Sequence, residues 1–177
     1  MKSQLWFLIL SVVLLSACKK VDKMTQFDMD YESTVTISST IGVNLPFNIY
    51  TPDITTNSES VCEVNNTRKD LIEKLVLQEL KLTITNPTTG NFDFLKSIII
   101  YITADGLPET EVARNDNIQD GIGMVLTLTP VTTDLKEYIK KDKFILKVTT
   151  VTDQIITSDY TIKVNANFFV DAEILGQ

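Results

Sequence analysis

The chain contains no histidine. That excludes a Ser-His-Asp triad, a Cys-His dyad and every His-ligated metal site. Cysteine is almost as scarce, with only Cys18 and Cys62. Tryptophan occurs once, at Trp6, so any flat platform for a sugar ring would have to be built from tyrosine. Positive charge is in deficit: 16 Lys and Arg face 23 Asp and Glu, a net charge of −7. An acidic protein is a poor partner for nucleic acid or for anionic lipid head groups. No internal repeat and no low-complexity segment interrupts the chain.

The N-terminus carries Lys2, then an apolar run from Leu5 to Leu15, then Ser16-Ala17-Cys18. A short positive start, an apolar run and small residues before a cleavage point make a signal peptide. The run is shorter than the roughly 20 residues a membrane-spanning helix needs. Leu15-Ser16-Ala17-Cys18 resembles the lipobox of bacterial lipoproteins. The resemblance implies cleavage between Ala17 and Cys18, a thioether-linked diacylglycerol on Cys18 and acylation (as by palmitate) of its new amine. One acyl chain holds a protein only marginally, at about 0.8 kcal/mol per buried methylene, and three hold it far more firmly. With Cys18 lipidated, Cys62 has no partner for an internal disulfide, although the compartment is oxidising. By resemblance to Gram-negative sorting rules, Lys19-Lys20 in place of Asp implies the outer membrane. Lys-Lys-Val-Asp-Lys in place of an acidic cluster favours its periplasmic face over the cell surface.

The organisation expected is therefore a signal peptide over residues 1–17, a lipid-anchored tether over 18–25 and one domain over 26–177. Removing 17 of 177 residues leaves 160, enough for a single real core. Removing Lys2 leaves 15 basic against 23 acidic side chains, a net charge of −8.

Period-two patterning dominates that domain, and successive side chains of a strand point to opposite faces. Phe27, Met29 and Tyr31 alternate with Asp28, Asp30 and Glu32, and the phase continues through Val35 and Ile37. Ile41, Val43, Leu45, Phe47 and Ile49 form a second alternation, which Pro46 assigns to a sheet edge or a bulge. Ser60–Val64 reads as a short strand. Residues 65–75 read as a short helix, capped by Asn66 or Thr67, with Leu71, Ile72 and Leu75 on one face. Strands are expected at Leu80–Ile84, at Ile98–Ile102 (apolar on both faces, hence central), at the edge over Glu111–Ala113, at Met124–Thr129 and at Phe144–Val151. Asp134-Leu135-Lys136-Glu137 has the capping-box form and predicts a helical turn burying Leu135, Tyr138 and Ile139. The last strand, Tyr160 to Ile174, is long enough to bend and serve two sheets. Strands in succession without crossover helices pair antiparallel. The fold class is all-β: a single antiparallel β-sandwich of about eight strands with one or two short connecting helices.

Lys81-Leu82-Thr83-Ile84-Thr85-Asn86-Pro87, followed by Phe92-Asp93-Phe94-Leu95-Lys96-Ser97-Ile98, resembles small β-rich Gram-negative lipoproteins of unknown function. The strand ending in Asn-Pro is also similar to late-embryogenesis-abundant and water-stress β-sandwich domains. Neither resemblance implies a catalytic residue.

Asp116, Asn117 and Asp120 offer oxygen ligands for calcium. Ile118 and Thr127 break the EF-hand spacing, and a solvated turn is the simpler reading. Asp28, Asp30 and Glu32 read as a solvated face that discourages edge pairing. Glu109 and Glu111 would serve a glycosidase only as two carboxylates across a cleft, and no other signal in the chain supports one. Cys62 reads as an inert core thiol. Tyr50, Tyr101 and Phe169 are candidate ligand contacts, with Phe169 interrupting a polar strand face between Asn167 and Asp171. No cofactor is expected beyond the covalent lipid, with calcium as the one candidate ion. The expected partners are the membrane, through the anchor, and an envelope protein, with no nucleic acid.

Two functional readings follow. The first is a non-enzymatic outer-membrane lipoprotein, serving as a protein-interaction or envelope-scaffold module. The alternative is a lipoprotein that binds a small ligand (glycan, lipid or calcium) beside a transporter. A flat surface with an exposed apolar patch favours the first, and a concave pocket with exposed aromatics favours the second.

Overall fold

A computed structural model of the chain describes residues 26–39, 41–42 and 44–173. Ala17, Cys18, the signal and tether, Val43 and Ile174 lie outside the described residues. Nine strands run in chain order: β1 (Gln26–Ile37), β2 (Pro46–Tyr50), β3 (Ile54–Thr55), β4 (Ile72–Asn86), β5 (Leu95–Thr103), β6 (Thr110–Asn115), β7 (Val125–Pro130), β8 (Lys143–Thr152) and β9 (Tyr160–Ala172). Two short helices, α1 (Ser58–Val64) and α2 (Lys136–Ile139), and a 3-10 turn over Lys69–Leu71 lie in the connections.

All pairings are antiparallel, in the order β1-β9-β4-β7-β6-β5-β8-β2, with β3 beside β8. The run folds over at β7. Val125–Leu128 pair with β4, and Thr129–Pro130 pair with β6. This makes a β-sandwich: a first sheet of β1, β9, β4 and β7 faces a second of β6, β5, β8 and β2. The strand shared by both is β7. The last strand, β9, instead lies wholly between β1 and β4.

The inward faces meet in one core. Tyr31 of β1 sets its ring edge-on to Phe144 of β8 (5.2 Å between centroids) and to Phe168 of β9 (5.7 Å). The Tyr31 hydroxyl donates to the Thr56 carbonyl at 2.6 Å, so its polar end is satisfied inside the core. Such edge-to-face pairs add about 0.5–1.5 kcal/mol each beyond area burial.

Several local expectations change. Residues 58–64 are helical, and Cys62 is buried at the helix's centre while Val64 is 82% exposed. Only one side of that segment faces the core, so its β-branched residues do not alternate. Residues 65–75 hold the 3-10 turn and the start of β4. Bulges between Ile72 and Lys74 and between Leu77 and Glu79 insert extra residues, which puts buried Ile72 and Leu75 three apart as on a helix. The second strand begins at Pro46, and β2 is indeed an edge strand. By contrast, β6 is internal, paired on both sides.

Candidate functional sites on the two outer faces

The two sheets show solvent outer faces of opposite character. On the second sheet, β5 buries Ile98, Ile100 and Ile102 and turns Ile99 and Tyr101 outward. On β8, Phe144, Leu146 and Val148 are buried, and Ile145, Lys147, Thr149 and Val151 face out half-buried. Register aligns these residues in rows. One row is Tyr50, Lys147, Tyr101 and Glu111, and the next is Asn48, Thr149, Ile99 and Arg114. Two candidate contacts, Tyr50 and Tyr101, therefore share a row with one strand between them, about 10 Å apart.

Lys147 joins them. Its Nζ lies 4.6 Å from the Tyr101 ring centroid and also forms an ion pair with Glu109. The ammonium thus covers one face of Tyr101. Tyr50 stays open, 55% exposed. Thr149 Oγ1 donates to Asn48 Oδ1 at 2.7 Å. Arg114 lies 3.3 Å from Glu111 and 2.7 Å from Asp116. The result is an apolar patch of Val151, Ile99, Tyr101 and Ile145, separated from Tyr50 by Lys147, with Arg114, Glu111 and Glu109 toward β6. Glu109 is held by Lys147 and Glu111 by Arg114.

The outer face of the first sheet is polar. Its registered rows set Asp30 against Asn167 and Glu79, and Glu32 against Asn165 and Lys81. They line a shallow groove of about 310 Å³. Asn167 Nδ2 donates to Asp30 at 2.9 Å, Asn165 Nδ2 donates to Glu32 at 3.1 Å, and Gln78 Nε2 donates to Asp28 at 3.2 Å. Lys163 lies 3.0 Å from Glu32. The hydrogen bonds from Lys163 and then Asn165 hold the Glu32 carboxyl below its usual range. Phe169 sits in the row beyond, between Asp28 and Val76, half-buried. It is on the opposite sheet from Tyr50 and Tyr101, so the three aromatics do not form one site.

Asp116, Asn117 and Asp120 occupy the exposed β6–β7 connection. Arg114 binds Asp116 Oδ1 through Nη2 (2.7 Å) and Nε (3.1 Å). The Asn117 amide donates to Asn115 at 3.0 Å. Among the described residues, no group of three or more carboxylate, thiol or imidazole side chains is arranged to hold a metal ion. Cys62 is fully buried, and burial, helped by the charges of Asp70 and Glu59, pushes its thiol up to about 11.

The patch and Lys147 were missed as a site in the sequence. The signal was present: a strand apolar on both faces needs two covers, and among the described residues Ile98–Ile102 has a core on one side only. No helix among the described residues is long and apolar enough to cross a membrane.

No protein-family model matches the chain, and no curated protein matches it significantly. Solved structures give partial likenesses. A capsid chain of cyanophage Pam1 is 10% identical, with TM-score 0.40, over 82% of this chain and 86% of its own. A chitosan-binding module of a Paenibacillus sp. IK-5 chitosanase/glucanase is 14% identical, with TM-score 0.37, over 74% of each chain. The module CpGH89CBM32-5 of Clostridium perfringens, in complex with GalNAc-β-1,3-galactose, is 8% identical, with TM-score 0.37, over 81% of this chain and 97% of its own. At these identities and scores they carry no functional inference.

Proposed function

We propose that this protein is a non-enzymatic outer-membrane lipoprotein, anchored through Cys18, that works as a protein-interaction module of the envelope. Its working surface is the outer face of the second sheet. The observation that carries this reading is the outward, half-buried set of Val151, Ile99, Tyr101 and Ile145, with exposed Tyr50 beyond Lys147, which no other element among the described residues covers. Contiguous apolar surface rimmed by polar residues is the usual mark of a protein contact. Aromatic anchors such as Tyr50 contribute disproportionately to binding.

The test is membrane complex size on native gels. Ile99→Lys and Tyr50→Glu are expected to shift the protein from a complex to its free form, while Asn165→Ala leaves the complex intact. Equal behaviour of all three variants overturns the reading. The anchor is tested separately by palmitate labelling. Wild type is expected to incorporate label and Cys18→Ser none, and labelling of the serine variant counts against lipidation at Cys18.

A second reading has its own observation in the acceptor-rich groove beside Phe169. Carboxylates and amides held on rigid strands suit the hydroxyls of a glycan. Perturbation of the Asn165 and Asn167 side-chain amide resonances by neutral oligosaccharides would favour it.

A further inference from the structure

We propose that the outer edge of β1 takes an added strand from a protein partner whose residues alternate between basic and apolar, an interaction surface distinct from the face of the second sheet. Among the described residues, β1 pairs with β9 alone and stands at one end of the strand order. Its outward residues Gln26, Asp28, Asp30, Glu32, Thr34 and Thr36 are all exposed, whereas those of β9, with a neighbour on each side, are half-buried. The free strands of the second sheet are β2, 5 residues long and opened by Pro46, and β3, 2 residues long. Short length, proline and bulges all blunt an edge. None of these protects β1, which runs 12 residues in unbroken register with β9. A regular free edge offers main-chain donors and acceptors to another strand.

Two observations set the partner's chemistry. On the outer face, Asp28 and Asp30 accept from the neutral amides of Gln78 and Asn167, and the ion pair of this row belongs to Glu32, held by Lys163. The charges of Asp28 and Asp30 are therefore left without a cation among the described residues. Two residues along one strand place them about 7 Å apart. A directly opposed side chain on an added strand begins about 5 Å away, so lysine or arginine at alternate positions meets each carboxylate. On the inner face, β1 and β2 approach each other without pairing. Phe27 of β1 and Phe47 and Ile49 of β2 pack on the core yet stay half-buried along this open side of the sandwich. Apolar residues at the intervening positions of an added strand cover them. A second copy of β1 would instead bring another row of the same carboxylates to the edge, and like charges oppose that pairing. The row thus selects against self-addition and for a basic strand.

The experiment measures binding of a fluorescent, strand-length peptide of alternating lysine and valine to the full-length protein in detergent. Binding is expected, weakened about tenfold by Asp28→Asn combined with Asp30→Asn. Both positions are exposed, and asparagine keeps an acceptor for Gln78 and Asn167, so the fold is retained. Alternate N–H groups of a strand point to the same edge. N-methylation of every lysine and, separately, of every valine therefore blocks one edge of the peptide each. One form is expected to lose binding and the other to keep it. Bound peptide is also expected to slow amide hydrogen exchange within residues 26–37. Absence of binding, equal binding by the two methylated forms, or exchange unchanged in β1 overturns strand addition. Binding unmoved by the double substitution, or equally tight binding by a glutamate-valine peptide, overturns the basic partner. Concentration-dependent self-association that the peptide displaces makes a second copy the occupant and overturns it too.

Discussion

Cys62 shows how a single side chain can be chemically present and functionally silent. It lies within α1, fully buried, with the charges of Asp70 and Glu59 near enough to disfavour a thiolate. The thiol ionises near 9 as a free group and at about 11 in the fold. As pH rises above about 9 the unfolded chain releases this proton first, so the contribution to stability is complete below that value. It is lost progressively up to about 11, and amounts to about 2–3 kcal/mol. Tyr31, also raised by burial, acts with the same sign at still higher pH. Two outcomes are expected. Native protein at pH 8 leaves Cys62 unlabelled by a thiol reagent until denaturant is added. The melting temperature falls between pH 9 and 11, by less in a Cys62→Ala variant than in wild type. Rapid labelling of native protein at pH 8 would contradict the assignment.

At the scale of elements, the clean alternations were legible in the sequence and the interrupted ones were not. Residues 26–37 and 160–172 keep strict period two and are strands over nearly the span their pattern predicts. In β4 the core positions Ile72, Leu75, Leu77, Leu80, Leu82 and Ile84 are also all buried, yet two bulges convert two of the steps from two residues to three. Three-residue steps imitate a helix, and only the long-range pairing with β9 distinguishes them. Asp134 is the reverse case: its pattern predicts a capping box, but the N-cap of α2 is Leu135, with no side-chain cap bond. Asp134 Oδ1 accepts from the Lys136 amide and also from the Leu75 amide of β4, each at 3.1 Å. It therefore ties α2 to the sheet, while Glu137 turns to Lys140. Asp134→Ala strands the Leu75 N–H, at an expected cost of about 1–3 kcal/mol in denaturant unfolding. Asp134→Asn retains an acceptor oxygen and is expected to recover most of the loss. A change under about 0.5 kcal/mol for Asp134→Ala would show that the tie carries no stability.

For the whole molecule, the fold class followed from the count of alternating segments, but the sites followed only in part. Phe169 was visible as a residue out of place on a polar face, and Tyr50 and Tyr101 as aromatic candidates for a contact. Which of them belong together depends on register across non-consecutive strands, which one sequence does not supply. Pairing through β8 unites the two tyrosines around Lys147, and pairing through β9 isolates Phe169 among carboxylates and amides. The sandwich thus has an apolar face and a polar face, and the account assigns protein contact to the first. The most direct measurement is in-cell photo-cross-linking, with one photoreactive residue in place of Tyr50 and, separately, of Asn165. A discrete protein adduct is expected from position 50 and none from position 165. An adduct from 165 with none from 50 would contradict it and transfer the working surface to the groove.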